Sequence, residues 1–313
     1  MTAVGDEVKD RARGCLLGLA VGDALGGPVE WLSSEAIEQR HGGPLRELVG
    51  GGWLGLRPGQ VTDDTEMALA LARSLAEAGD YDPEAAMSKY LAWFASDPPD
   101  VGNTIGAVLG AVRRGVPAAD AAKGVHESSG GKSAGNGSLM RCAPLAVRYH
   151  REFHALWDAA TADSRLTHHD PLAAEACVFF TTVLAARISG HTLLEAPAYD
   201  PRLIQGLNTD PEDAARHARD EVGYVLTALA VGRCADRGAS DFEDGLTWAV
   251  NLGGDADTNG AVAGALLGAR FGSRGIPARW LDLLEPRDEL VCLADALVAG
   301  DESSPVGLLG GDW

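Results

Sequence analysis

Apolar positions recur at three- and four-residue spacing along most of this chain, and no convincing run alternates as a half-buried strand would. Met67, Leu71, Leu75 and Ala78 mark one such stripe, which Gly79 ends. The spacing predicts helices over about residues 10–21, 65–78, 83–95, 102–114, 117–125, 152–162 and 171–189. It resumes over about 212–236, 240–250, 258–271, 277–284 and 287–299. Asp82 before Pro83 reads as a cap with proline in the first helical position. Residues 32–58 and 127–137 read as loops. So does 190–212, with Pro197, Pro201 and Pro211 as breakers, and the tail after Asp301 reads as coil. The expected fold class is all-α, in one compact domain over residues 1–313.

Within this pattern glycine has a period of its own. It recurs every four residues at 14, 18, 22 and 26, at 102, 106 and 110, and at 260, 264, 268 and 272. Each costs a helix about 0.5–1 kcal/mol against alanine, so the spacing predicts close approach of another backbone. Asp23, Arg113 and Arg270 within these runs place that approach in a soluble bundle rather than a membrane.

Composition narrows the partners. The 313 residues carry 26 basic and 45 acidic side chains, a net charge of −19, which argues against nucleic acid or an anionic membrane as partner. A diphosphate can still be held by helix N-termini, glycine-loop amides or metal ions. Hydrophobic residues make up 46%, enough for a core. The longest weakly polar runs, such as 260–269, fall short of a membrane span. The five scattered cysteines form no CxxC pair, and the charged N-terminus lacks the apolar stretch of a signal peptide. Both fit free thiols, and with them a cytoplasmic monomer is expected.

Two stretches nearly two hundred residues apart share a grammar. Gln60-Val61-Thr62-Asp63-Asp64-Thr65 opens one helical pattern, and Gly253-Gly254-Asp255-Ala256-Asp257-Thr258 opens another. Asp or Thr at a helix mouth is most often only an N-cap. But aspartates at i and i+2 share no helix face, so Asp255 and Asp257 converge only from a turn, which Gly253-Gly254 permits. Four carboxylates brought together repel unless cations lie between them. Carboxylate, hydroxyl and water oxygens suit a hard divalent cation, Mg²⁺ or Mn²⁺. The two stretches therefore read as one metal site for two ions. The chain contains no nucleophile elbow, Walker loop or dinucleotide fingerprint.

Other segments stand between them in order. Gly14-Cys15-Leu16-Leu17-Gly18 leads to Gly22-Asp23-Ala24-Leu25-Gly26 and Pro28-Val29-Glu30. Asp100-Val101-Gly102-Asn103-Thr104, Gly135-Asn136-Gly137-Ser138-Leu139-Met140-Arg141 and Leu166-Thr167-His168 follow. Together with the two Asp-Thr stretches, this ordered set resembles the ADP-ribosylglycohydrolase family over about residues 11–284. The resemblance implies a compact orthogonal multi-helix bundle. It implies metal-dependent hydrolysis of the bond between ADP-ribose and an acceptor such as a protein arginine. Thr62, Asp63, Asp64, Asp255, Asp257 and Thr258 would hold two divalent cations, and Glu30 or Asp63 would be the general base. Asp100, Gly102, Asn103, Thr104, Asn136, Gly137, Ser138 and His168 would bind ADP-ribose or the ADP-ribosylated protein. Asp23 carries no assigned catalytic role, and for Arg141 a structural ion pair is the better expectation. A hydrolase of a free small ADP-ribose conjugate, or a non-catalytic crystallin-like relative, are the other functions open to such a chain. Residues 191–220 match no motif of the family.

Overall fold

In the computed structural model, which describes residues 3–191 and 200–302, sixteen α-helices follow one another. They are α1 (Ala3–Gly26), α2 (Ser34–His41), α3 (Asp63–Ala78), α4 (Pro83–Ala95), α5 (Asn103–Arg113), α6 (Ala118–Ser128), α7 (Ala143–Arg148) and α8 (Phe153–Arg165). Then come α9 (Pro171–Ile188), α10 (Pro201–Leu207), α11 (Pro211–Asp220), α12 (Val225–Gly238), α13 (Phe242–Val250), α14 (Ala256–Phe271), α15 (Ala278–Leu281) and α16 (Arg287–Glu302). Among the described residues there is no sheet, only three isolated bridges. The all-α expectation holds.

The bundle is organised around the pairing of α1 with α14, and glycine is what lets them meet. A Cβ on Gly14 would stand 2.3 Å from the Gly268 carbonyl oxygen, one on Gly18 2.2 Å from that of Gly264, and one on Gly22 2.0 Å from that of Gly260. The pairing is reciprocal and antiparallel, backbone against backbone. The stripe at 102, 106 and 110 does not share this role. Around Gly106 and Gly110 the nearest atoms belong to side chains, Val101 and Arg114. That part of the glycine expectation is corrected: spacing alone does not reveal whether a partner helix is there.

Other differences have local causes. Helix α1 runs well beyond 10–21 at both ends. Helix α2 lies inside the expected loop 32–58, because Ser33 caps the amide of Ala36 at 3.2 Å and Gly42 (φ +71°) closes it. Helix α7 is buried on all sides and so shows no polar stripe to read. Helix α10 falls where Pro201 was expected to break structure. Asp200 accepts from the Arg202 amide at 2.8 Å, and Pro201 takes the first helical position, where its missing N–H costs nothing. Pro211 does the same for α11 behind Asp210. The segment expected as one helix over 212–236 is two. Gly223 (φ +77°) breaks it, its carbonyl accepts from Asn136 N–H at 3.0 Å, and Val225 N–H donates to Ala134 at 3.0 Å. Pro197 and the tail lie outside the described residues.

Helix α9 corrects the expectation about apolar runs. Its 18 residues are long and apolar enough to cross a bilayer, and they are 72% buried among α7, α8, α12 and α14. Cys15, Cys142, Cys177 and Cys234 are buried free thiols, and Cys292 is exposed.

Candidate metal centre

Both Asp-Thr stretches sit at helix mouths, yet neither is used as a cap. Thr62 before α3 and Asp255 before α14 make no side-chain capping bond. The capping of α3 falls instead to Asp23 of α1, one residue beyond the last close glycine pair. Its buried carboxylate accepts from Thr62 N–H (3.0 Å), Thr62 Oγ1–H (2.8 Å), Thr65 N–H (3.1 Å) and Thr65 Oγ1–H. Asp63 and Asp64 are thereby left free to point elsewhere. Asp63 Oδ2 accepts weakly from Gly102 N–H at 3.4 Å. Asp64 Oδ2 accepts from Thr258 Oγ1–H at 3.3 Å across the gap between the two stretches. Asp64 Oδ1 is buried with no partner among the described residues.

The second stretch is shaped by two left-handed glycines, Gly253 (φ +78°) and Gly254 (φ +68°). A side chain at either would strike backbone oxygen, of Leu32 at 2.2 Å or of Ala218 at 2.0 Å. The turn is strapped to the segment carrying Glu30: Trp31 N–H donates to Gly254 at 2.7 Å, and Gly254 N–H to Leu32 at 2.9 Å. Glu30 thus meets the aspartates. Glu30, Asp100 and Asp257 each place a carboxylate oxygen within 4.8 Å of the others. Asp255 Oδ2 accepts from Asn136 Nδ2–H at 2.6 Å, which ties the glycine loop to the cluster. Asp257 Oδ1 accepts from the Thr258 amide at 2.9 Å.

These groups are buried, Asp100 only half so, and they crowd one another. Burial first, then the charges of Asp100 and Asp23, pushes Asp63 well above the ordinary carboxylate range. Burial, then Asp23 and Asp63, does the same to Asp64, and burial, then Asp64 and Asp255, to Asp257. Glu30 is pushed up to about 7 by burial, held back by its hydrogen bond from Trp53, with Asp100 and Asp255 adding to the rise. Asp100 is raised by burial and Asp255. Asp23 rises to about 6 through burial, against the pull of the two threonines. Among the described residues no Lys or Arg pairs with any of them. An all-oxygen cluster with an orphaned carboxylate oxygen and no counter-charge is a donor set that fits hard divalent cations.

The remaining sequence-predicted residues divide into two groups. Asp100 stands in the cluster, and Gly102, Asn103 and Thr104 form the mouth of α5, where Gly102 has no side-chain capping bond. Asn136 and Gly137 lie in the loop that Gly223 and Asp255 hold from both sides. Ser138 and His168 instead turn inward. Ser138 Oγ, fully buried, pairs with Ser164 Oγ at 2.9 Å, so its backbone alone is left for a ligand. His168 is 1% exposed, with Nδ1 2.9 Å from Thr167 Oγ1. Its Nε2 lies 3.4 Å from where a Gly137 Cβ would stand, which puts the ring beneath the loop. Burial, then Arg141, pulls His168 down to about 3, so it is a neutral imidazole. Arg141 makes the expected structural ion pair, with Asp163 at 3.1 Å, fully buried.

Two participants escaped the sequence reading. Asp23 was visible as a motif member but not as the shared cap. Trp53 sits on a loop of glycines, where no periodicity could single it out.

The whole chain has clear relatives. The family model for ADP-ribosylglycohydrolase matches residues 5–305. The ADP-ribosyl-[dinitrogen reductase] glycohydrolase of Rhodospirillum rubrum is 37% identical, covering 94% of this chain and 98% of its own. The ADP-ribosylarginine hydrolase Tri1 of Pseudomonas putida is 31% identical over 95% of this chain and 80% of its own. A solved structure described as an ADP-ribosylglycohydrolase-related protein complex superimposes with a TM-score of 0.72 at 34% identity, covering 95% of this chain and 99% of that one. The chain belongs to the ADP-ribosylglycohydrolase family.

Proposed function

We propose that this chain is a divalent-metal-dependent hydrolase that frees ADP-ribose from ADP-ribosylated arginine side chains of proteins. The observation that carries the reading is the convergence of Asp63, Asp64, Asp100, Asp255, Asp257 and Glu30 at the mouths of α3, α5 and α14 without a counter-charge. The Pseudomonas relative, an ADP-ribosylarginine hydrolase, supports arginine as the acceptor, and the Rhodospirillum relative, which acts on ADP-ribosylated dinitrogen reductase, supports a protein substrate.

In this reading Thr62, Asp63, Asp64, Asp255, Asp257 and Thr258 hold two Mg²⁺ or Mn²⁺ ions. Bound there, the cations supply Lewis acidity and fix the hydroxyls of the ribose. Thr62 Oγ1–H donates its hydrogen bond to Asp23, which leaves the oxygen's lone pairs for a cation. Asp23 sets the first aspartate pair, and Gly253-Gly254 the second. The diphosphate lies against the amides of Gly102, Asn103 and Thr104 and of the Asn136-Gly137-Ser138 loop, which His168 supports from below. Asp100 faces the ribose.

Hydrolysis adds water at the anomeric carbon, through an oxocarbenium-like state, and returns the guanidino nitrogen with a proton. Glu30, poised near neutrality, takes the proton from water. Asp63, the other candidate base, is engaged with Gly102 and the neighbouring aspartates. The chain works as a cytoplasmic monomer, and its acidic balance keeps polyanionic nucleic acids and anionic membranes away.

The test is a panel of defined linkages: ADP-ribosylarginine, ADP-ribosylserine and small free conjugates, each with Mn²⁺, Mg²⁺ or EDTA. Release of ADP-ribose from the arginine linkage, abolished by EDTA, is expected. Absence of turnover on every linkage in either metal overturns the reading.

A further inference from the structure

Glu30 is flanked by two tryptophans that the fold leaves in solvent. Trp31 is 61% exposed and Trp53 56% exposed, in a chain where aromatics make up only 6%. Neither exposure is casual. Trp53 Nε1–H donates to Glu30 Oε2 at 2.6 Å. It rides a turn that Gly51 and Leu56 close with a pair of backbone bonds, at 2.6 and 2.8 Å. That turn is pressed against the Gly27–Val29 segment so closely that a Cβ on Gly52 would lie 2.9 Å from Pro28 Cα. Trp31 has φ +66°, a left-handed conformation that a bulky residue adopts only when its surroundings impose it. What imposes it is the Trp31 N–H bond to Gly254 in the metal-site turn.

A carboxylate cluster, uncompensated by any basic side chain among the described residues, thus borders the anchored, half-exposed indole of Trp53 and the exposed Trp31 next to Glu30 in the chain. Anionic oxygens behind and aromatic faces in front attract a planar cation. The ADP-ribose end of the substrate carries two negative phosphates, which belong at the helix mouths, so the cation belongs to the acceptor. We infer that Trp53, with the exposed Trp31, the chain neighbour of Glu30, as a second aromatic face, is the seat of the acceptor's guanidinium, and that Trp53 also positions Glu30 through its indole N–H. This deepens the hydrolase reading and rests on it for the identity of the reaction, but the binding preference it asserts can be read without turnover.

The experiment separates stacking from positioning. Trp53→Ala removes both, Trp53→Phe keeps an aromatic face and loses the N–H, and Trp31→Ala removes the neighbour. Calorimetry on the metal-stripped protein compares ADP-ribosylarginine with ADP-ribose. Wild type is expected to prefer the arginine conjugate by about 5- to 10-fold, the size of one cation–aromatic contact. Trp53→Ala removes that preference, and Trp53→Phe retains most of it. All variants keep their affinity for ADP-ribose, which shows that the fold and the nucleotide site survive. In the metal-loaded enzyme, Trp53→Phe lowers kcat with little change in KM on the arginine linkage. Trp53→Ala lowers kcat and raises KM there, while KM for ADP-ribosylserine, a neutral acceptor, stays put. An undiminished arginine preference in both Trp53→Ala and Trp31→Ala overturns the seat, and an unchanged kcat in Trp53→Phe overturns the positioning role. Wild type that prefers the arginine conjugate but hydrolyses no linkage leaves the seat standing and fells the hydrolase reading.

Discussion

The first turn of α14 and the three turns after it obey opposite rules. At Asp255, Asp257 and Thr258 every side chain is polar, buried and either unneutralised or shared with the facing stretch. Over Gly260, Gly264 and Gly268 there is no side chain at all. The backbone lies against Gly22, Gly18 and Gly14 so tightly that a methyl group on Gly264 would stand 2.0 Å from the Gly18 oxygen. The seam is satisfied internally and needs nothing. The mouth is incomplete without cations. The two are coupled by register: one turn beyond the Gly22–Gly260 pair, a Cβ on Gly26 would stand 2.2 Å from the Ala256 oxygen and 2.5 Å from the Asp257 nitrogen, so the seam runs into the mouth, where Asp23 sets Thr62 and Thr65. A rigid, charge-free seam can carry a mouth whose carboxylates repel.

If that division is right, charge-removing substitutions at the mouth damage function far more than folding. Asp63→Asn and Asp257→Asn keep side-chain size, and asparagine caps a helix about as well as aspartate. Turnover is expected to fall by two orders of magnitude or more, roughly the loss of a metal ligand, with the helical circular-dichroism signal intact. Excess Mn²⁺ restoring Asp257→Asn but not Asp63→Asn would transfer the base from Glu30 to Asp63. Full activity in both variants would reduce the mouth to a pair of caps.

The seam responds the other way, in stability before activity. Gly264→Ala inserts a Cβ where backbone stands, on both sides of which the helices are held by further glycine pairs. It should cost at least the upper end of the roughly 1–3 kcal/mol typical of overpacking, read as a fall in the urea midpoint. Gly110→Ala is the control. Only the end of Arg114 is near, at 3.5 Å, so helix propensity should win and stability rise by about 0.5–1 kcal/mol. Equal losses at 264 and 110 would mean that the seam is not special.

How far the seam and the mouth were legible differs for a physical reason. Glycine spacing foretold the seam at 14–26 and 260–272, but it signalled equally at 102–110, because spacing records permission to approach and not the presence of a partner. The aspartates were legible as two like stretches, since a helix mouth is a local feature. The inward turn of Ser138 and His168 was not, because Ser138 is held by Ser164 and Cys177 from other elements and His168 is packed beneath Gly137 of a distant loop. The hold of Asp23 on two threonines about forty residues away was hidden likewise. Helix α10 was missed through proline, which breaks a helix interior but begins a helix behind Asp200.

Metal itself tests whether the mouth is the unsatisfied region. Cations that bind only the native state stabilise it by about 2.7 kcal/mol at a hundredfold excess over Kd. For a chain of this size that is roughly 4 °C in Tm for each site filled, and about twice that for two independent sites. Melts with Mn²⁺ and with EDTA should separate by that amount in wild type and coincide in an Asp64→Asn, Asp257→Asn double variant. Superimposable wild-type curves would mean that the carboxylates have another way to relieve their repulsion.

The smallest effect is the dependence of that gap on pH, and its sign follows from the shifts. Glu30 titrates at about 7 and Asp23 at about 6 in the native state, against about 4 for carboxylates in an unfolded chain. Between those values the native state holds protons that the unfolded state has released. Stability of the metal-free protein from these groups is therefore fully present below about pH 4 and is lost as pH rises through about 6 to 7. His168 opposes them. Drawn down to about 3 by burial and Arg141, it makes the native state bind fewer protons than the unfolded chain below about 6.5, which favours folding toward neutrality. One histidine faces several raised carboxylates, Asp63, Asp64 and Asp257 among them, so the carboxylates win. In EDTA, urea midpoints should fall from pH 5.5 to pH 7.5. Cations require those same carboxylates ionised, so the stabilisation by Mn²⁺ should grow over the same interval. Glu30→Gln removes one of the titrating groups and should flatten the metal-free slope. An EDTA midpoint that climbs from pH 5.5 to 7.5 would assign the balance to His168 and place the strain of this fold beneath the glycine loop rather than at the aspartates.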